Sequence, residues 1–194
     1  MPFENLKEIL FDYSDYIKPK RFSYESNGKK CTWDFIETKD SVSILVYHKD
    51  FKSFVLVRQF RIPLWYYQKI NNCKDKDLGY TIELCSGLVD KNLPLDQIAK
   101  EECIEELGYL PKKLEKIKDF YTGFGSGVNK QSLYFAVVDE NDKVSDGGGI
   151  EDEQIETIFV KVDEYDKFSK EIICNSLLEF AYLWFLKRKK DFYL

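Results

Sequence analysis

Residues 87–109 read GLVDKNLPLDQIAKEECIEELGY, and this stretch decides both the fold and the chemistry. Pro94 before and Gly108 after frame residues 95–107 as a helix with a proline start and a glycine stop. At about 100° per residue, Leu95, Ile98, Ala99, Cys103 and Leu107 share one side, which must face the core. Glu102 and Glu106 fall in the middle of that side and Glu105 at its edge, with Gln97, Lys100, Glu101 and Ile104 opposite. Carboxylates one turn apart repel each other, and partial burial makes them far costlier unless something neutralises them. No nearby basic residue shares that face. A divalent cation with hard oxygen ligands resolves the conflict, and Mg²⁺ suits carboxylate ligation. The wheel also leaves open a helix rotated by a fraction of a turn, with its glutamates forming an ordinary solvated face.

Working outward, short apolar runs predict strands on both sides of this helix. Residues 21–26 and 29–36 flank Asn27-Gly28, a pair that tolerates the positive φ of a tight hairpin turn. Residues 42–47, 54–60, 81–85, 133–138 and 155–162 read as further strands. Residues 170–189 predict a second long helix, with Ile172, Leu177, Leu178, Ala181, Trp184 and Phe185 apolar and Asn175 and Glu179 interrupting. Its basic end, residues 187–190, suits a helix C-terminus. Residues 66–80, rich in Lys, Asp and Asn and without a clear period, read as a surface insertion.

Composition narrows the function. The chain has 194 residues, enough to bury one real core. Its 29 basic against 34 acidic side chains give a net charge of −5, which argues against coating nucleic acid. His48 is the only histidine, so mechanisms needing two histidines or a histidine metal cluster are excluded. Five cysteines without a C-x-x-C pair predict packing residues in a reducing, cytoplasmic setting. The first ten residues carry Glu4, Lys7 and Glu8 and do not form a secretory apolar stretch. No apolar run approaches the roughly 20 residues of a membrane span.

The stretch resembles the Nudix box, in which a glycine leads, at fixed spacing, to Arg-Glu-apolar-x-Glu-Glu-x-Gly-apolar. Gly87, Glu102, Cys103, Glu105, Glu106, Gly108 and Tyr109 stand at matching positions. Leu93 replaces the first glutamate of the box and Glu101 replaces its arginine, with Lys100 adjacent as a candidate substitute. Trp33-Asp34-Phe35, Asp40-Ser41-Val42, residues 55–61 and Gly147-Gly148-Gly149 are similar to the UDP-sugar (UDP-glucose) pyrophosphatase branch of Nudix hydrolases. The similarity covers roughly residues 20 to 185.

The resemblance implies an α+β Nudix fold, an α/β/α sandwich with a mixed β-sheet. Residues 1–40 would form an N-terminal β-hairpin extension able to serve as a dimerisation arm, and residues 41–194 the hydrolase domain. It implies metal ligands at the Ser86 carbonyl, Glu102, Glu105 and Glu106, holding Mg²⁺ or Mn²⁺. Glu151 and Glu153, with Glu105, are implied for activating water, in a loop that three glycines leave free to move. Arg61 is the candidate grip on the diphosphate, since a guanidinium fork suits phosphate oxygens. Arg58, earlier in the same strand, is expected on the same face if that strand is regular, and Tyr24 or Trp33 would stack the base. The implied reaction converts UDP-glucose to UMP and glucose 1-phosphate in a homodimer. ADP-ribose hydrolysis, or nucleotide binding with little catalysis, are the alternatives. No nucleic-acid or membrane partner is implied.

Overall fold

The computed structural model describes Phe3, residues 5–150 and residues 153–188. Nine strands among these residues form one mixed sheet, ordered β1 (Ile17–Ser26), β2 (Lys29–Thr38), β8 (Gly127–Val138), β3 (Ser41–His48), β4 (Ser53–Phe60) and β5 (Tyr80–Glu83). Three more strands attach to it: β6 (Cys85–Leu88) on β3, β7 (Leu114–Thr122) on β8, and β9 (Ile155–Lys161) on β4. β3 runs parallel to β8 and antiparallel to β4 and β6.

Every residue of β3 is buried, so its apolar run serves both faces of the sheet. Val42, Ile44 and Val46, with Val55 and Val57 of β4, meet Ile98, Ala99, Cys103 and Leu107 on one side. Leu45, Tyr47, Phe54 and Leu56 meet Leu177, Leu178, Ala181, Tyr182 and Phe185 on the other. The period-2 alternation thus divides two adjacent strands between two cores, and helices cover both faces. The architecture is the α/β/α sandwich expected.

The hairpin forms as expected, with Ser26 opposite Lys29 across Asn27-Gly28. β1 is exposed along its whole length, and β2 joins the rest of the sheet through a short parallel register of Ile36 and Glu37 with Gly127 and Val128. The last helix, α3 (Ser176–Arg188), starts later than its sequence suggested. Asn175 is its cap rather than an interruption, because Asn175 Oδ1 accepts the N–H groups of Leu177 and Leu178, each at 3.1 Å. Two further readings need correction. Residues 81–85 form not one strand but parts of two, β5 pairing with β4 and β6 with β3. The surface insertion begins inside a helix, since its residues 66–70 belong to α1 (Ile62–Ile70), whose buried Gln68 accepts the Gly79 N–H at 2.6 Å. Among the described residues no helix is long and apolar enough to cross a membrane.

Candidate active site

The acidic helix lies across the sheet as α2 (Leu95–Glu102) followed by a wider π-helical turn, Cys103–Leu107. Such turns are uncommon and often occur where function requires a shifted side chain. Here the turn carries Glu105 and Glu106. Glu106 is 4% exposed, which settles the helix rotation in favour of inward-aimed carboxylates.

These side chains line a cavity of about 940 Å³, together with Ser86, Gly87, Glu83, Lys91, Arg61 and Glu153. Glu106 Oε2 accepts the Ser86 N–H at 2.9 Å, which ties the helix to β6. Gly87 lies directly against this helix: a Cβ there would lie 1.9 Å from the Glu102 carboxyl carbon, so that side chain would have to swing aside. Burial, followed by the negative charge of Glu105, pushes the Glu102 carboxyl up to about 7. Burial is also the main cause raising Glu106 to about 8, with the charges of Glu102 and Glu153 adding to it and the Ser86 N–H opposing it. Two acids one turn apart are therefore held close to neutral pH on a cavity wall, as sites for proton or cation chemistry commonly are.

Across the cavity Arg61 makes a two-pronged contact with Glu83, from Nε and Nη2, both at 2.8 Å. Thr81 Oγ1 donates to the same carboxylate at 2.5 Å. Burial opposes the Glu83 charge, but the Arg61 fork and the Thr81 hydroxyl overcome it and hold its pKa below the ordinary value. The hydrogen bond to Glu83 raises the Arg61 pKa further. Arg61 is thus a permanent cation fixed in orientation at the cavity edge.

The glycine loop is hydrogen-bonded to the acidic turn. The N–H groups of Gly148 and Gly149 donate to the carbonyls of Glu106 and Glu105, each at 2.9 Å, and Thr157 Oγ1 donates to the Glu106 carbonyl at 3.0 Å. A Cβ on Gly147 would lie 2.5 Å from the Glu106 carbonyl oxygen, and its φ of +69° also favours glycine. The glycines permit close backbone contact between the acidic turn and the loop leading to Glu153. Glu153 lines the cavity and accepts the Ile150 N–H at 3.2 Å. Glu151 lies outside the described residues.

The structure therefore brings Ser86, Glu102, Glu105, Glu106, Arg61 and Glu153 to one cavity. Arg58, Trp33 and Tyr24 are not on its wall. Arg58 is three residues from Arg61, so the two project to opposite faces of a regular strand. Arg58 instead pairs with Glu156 at 3.1 Å and stacks on Tyr80 at 3.9 Å. Trp33 donates its Nε1–H to the Gly125 carbonyl at 3.1 Å, and both hairpin aromatics are exposed. Sequence reasoning missed Glu83 and Lys91. Glu83 is preceded at i−2 by a threonine able to bond it, which is a faint signal, and Lys91 had none.

A divalent cation fits this donor set by charge and by hardness. The wall offers carboxylate oxygens, and no thiol or imidazole competes at the cavity surface. Among the described residues, no three such side chains close into a ready-made cage. Mg²⁺ commonly binds through one or two carboxylates together with substrate phosphates, so an open acidic wall suits it.

Comparison with known proteins agrees with this geometry. No protein-family model matches the chain. It is 31% identical over 183 residues to the uridine diphosphate glucose pyrophosphatase NUDT14 of Mus musculus, covering 82% of each chain. It is 33% identical over 174 residues to the Bos taurus protein of the same name, covering 77% of this chain and 78% of that one. The GDP-mannose pyrophosphatase of Cronobacter sakazakii is 35% identical over 164 residues, covering 82% of this chain and 75% of its own.

Proposed function

The chain belongs to the Nudix hydrolase family, and we propose that it hydrolyses the diphosphate of a nucleoside diphosphate sugar with the help of a divalent cation. The observation that supports this best is the pair of raised carboxyls, Glu102 and Glu106, on a wall facing the fixed guanidinium of Arg61. Glu102, Glu105, Glu106 and the Ser86 carbonyl would hold Mg²⁺ or Mn²⁺. When bound, the ion supplies positive charge against the diphosphate oxygens.

The remaining work belongs to side chains of this protein. Arg61, oriented by Glu83 and with its side chain 46% exposed, binds a phosphate oxygen. The Ser86 N–H orients the Glu106 carboxylate and keeps it from turning away from the cavity. Glu153, with Glu151, takes the proton as water adds to one phosphorus. The P–O bond to the neighbouring phosphate then breaks, leaving a nucleoside monophosphate and a sugar phosphate.

The leading substrate is UDP-glucose, giving UMP and glucose 1-phosphate, because the flanking sequence words and the mammalian relatives agree on it. GDP-mannose is the second reading, on the strength of the bacterial relatives. Turnover of UDP-glucose, GDP-mannose and ADP-ribose at equal concentration with Mg²⁺ is expected to be fastest for UDP-glucose. Faster GDP-mannose turnover would move the assignment to that substrate, and no hydrolysis of any with Mg²⁺ or Mn²⁺ would end the enzyme reading.

We also place residues 1–40 as an arm that packs on a second copy of the chain. Phe22, Tyr24 and Trp33 are 61%, 43% and 49% exposed on a hairpin that few contacts hold to its own domain. Light scattering at micromolar concentration is expected to give twice the 23.0 kDa chain mass. A monomeric mass would remove the arm.

A further inference from the structure

We infer that Lys91, clamped by Glu101, is the positioning residue that holds Glu105 toward the cavity. The inference rests on the proposed hydrolase reading. Four glutamates crowd residues 101–106, and their mutual repulsion needs an internal cation. Lys91, in the loop before α2, meets that need. Its Nζ is 2.8 Å from Glu101 Oε2 and 3.7 Å from Glu105 Oε1. Gln97 Nε2 donates to the other Glu101 oxygen at 3.3 Å, so Glu101 is held from two sides and in turn holds the lysine. No ion pair joins Lys100 to these glutamates among the described residues.

This gives the anomalous Glu101 a function. A glutamate adds charge to an already acidic helix, and an ion pair as exposed as this one contributes little to stability. What it supplies is geometry. An unanchored lysine side chain samples many rotamers, whereas one fixed at Glu101 presents its ammonium steadily to Glu105. The cation thus comes from the loop, and the helix supplies the anchor.

The test compares Lys91→Met, Lys91→Arg, Lys91→Glu and the exchange of Lys91→Glu with Glu101→Lys, all in the full chain. Lys91→Met is expected to lower kcat roughly tenfold while KM for UDP-glucose stays within about twofold. It should also raise the Mg²⁺ concentration needed for the half-maximal thermal shift, although it removes a positive charge beside the site. Lys91→Arg should behave as wild type. Lys91→Glu should lose up to roughly 100-fold, and the exchange should recover most of that loss by carrying the cation on the helix.

Unchanged kcat, or tighter Mg²⁺ binding in Lys91→Met, would make Lys91 a bystander charge and overturn the inference. So would an exchange variant no better than Lys91→Glu. If wild type neither hydrolyses a nucleotide sugar nor gains stability from Mg²⁺, the hydrolase reading fails and this inference falls with it. If wild type does both and the Lys91 variants match it, the inference alone fails.

Discussion

Replacing Glu106 with glutamine is expected to lower the hydrolysis rate roughly 10³-fold without destabilising the protein when divalent ions are absent. The two halves of this result have one cause. Glu106 is 4% exposed, and burial is the main reason its carboxyl is raised to about 8. Ionising it in the folded protein therefore costs free energy that an uncharged residue of the same shape does not incur. Glutamine keeps an oxygen to accept the Ser86 N–H at its present 2.9 Å, so the contact between helix and β6 survives. It loses the negative charge for which a cation would bind. A glutamate retained only for packing would give the opposite result, with activity unaffected. Retention of more than about a tenth of wild-type turnover would falsify the assignment of Glu106 to the metal site. A surface control, Glu115→Gln, is expected to leave turnover unchanged.

The readings that succeeded rested on strong local signals. β3 is buried on both faces, and its centre, residues 44–47, reads as a continuous apolar run. The acidic helix stood out because the side its apolar residues assign to the core also carries Glu102 and Glu106. That conflict between charge and burial is visible on a wheel. The misses have physical causes too. α1 (IPLWYYQKI) is apolar around most of its circumference and shows no period to detect, and its buried Gln68 bonds to Gly79, 11 residues away. β7 (LEKIKDFYT) mixes charged with apolar residues and carries a register shift between Lys116 and Lys118, which blurs its alternation. The split between β5 and β6 depends on which neighbour each pairs with, a tertiary choice. Within the site, Glu83 is fixed by Arg61, 22 residues away, and Lys91 by Glu101, 10 residues away. Pairings at such separations follow no helical or strand period, so Glu102, Glu105, Glu106 and Arg61 were legible while Glu83 and Lys91, the partners that fix Arg61 and Glu101, were not.

In the absence of divalent ions, the melting temperature is expected to fall as pH rises from about 5 to about 8.5. Mg²⁺ should then restore the most stability at the upper end. The sign follows from proton counting. Glu102 and Glu106 titrate near 7 and 8 in the folded protein, whereas unfolded glutamates titrate near ~4.3. Between these limits the folded chain binds more protons than the unfolded chain, so raising pH favours unfolding. Other shifted groups titrate outside the window. Asp139, held down first by its hydrogen bond from Lys49, lies at about 2, and the paired lysines lie above 10.5. At pH 5 both site carboxyls are largely protonated and bind a cation poorly, so Mg²⁺ should shift the melting temperature little. At pH 8.5 they are mostly ionised, and Mg²⁺ at 100 times its dissociation constant contributes about 2.7 kcal/mol. For a chain of this size that is roughly 5–10 °C. Glu106→Gln should flatten both the decline with pH and the Mg²⁺ response. An equal Mg²⁺ shift at pH 5 and pH 8.5 would place the ion on groups other than these two acids, and the proposed chemistry would then lack its charge.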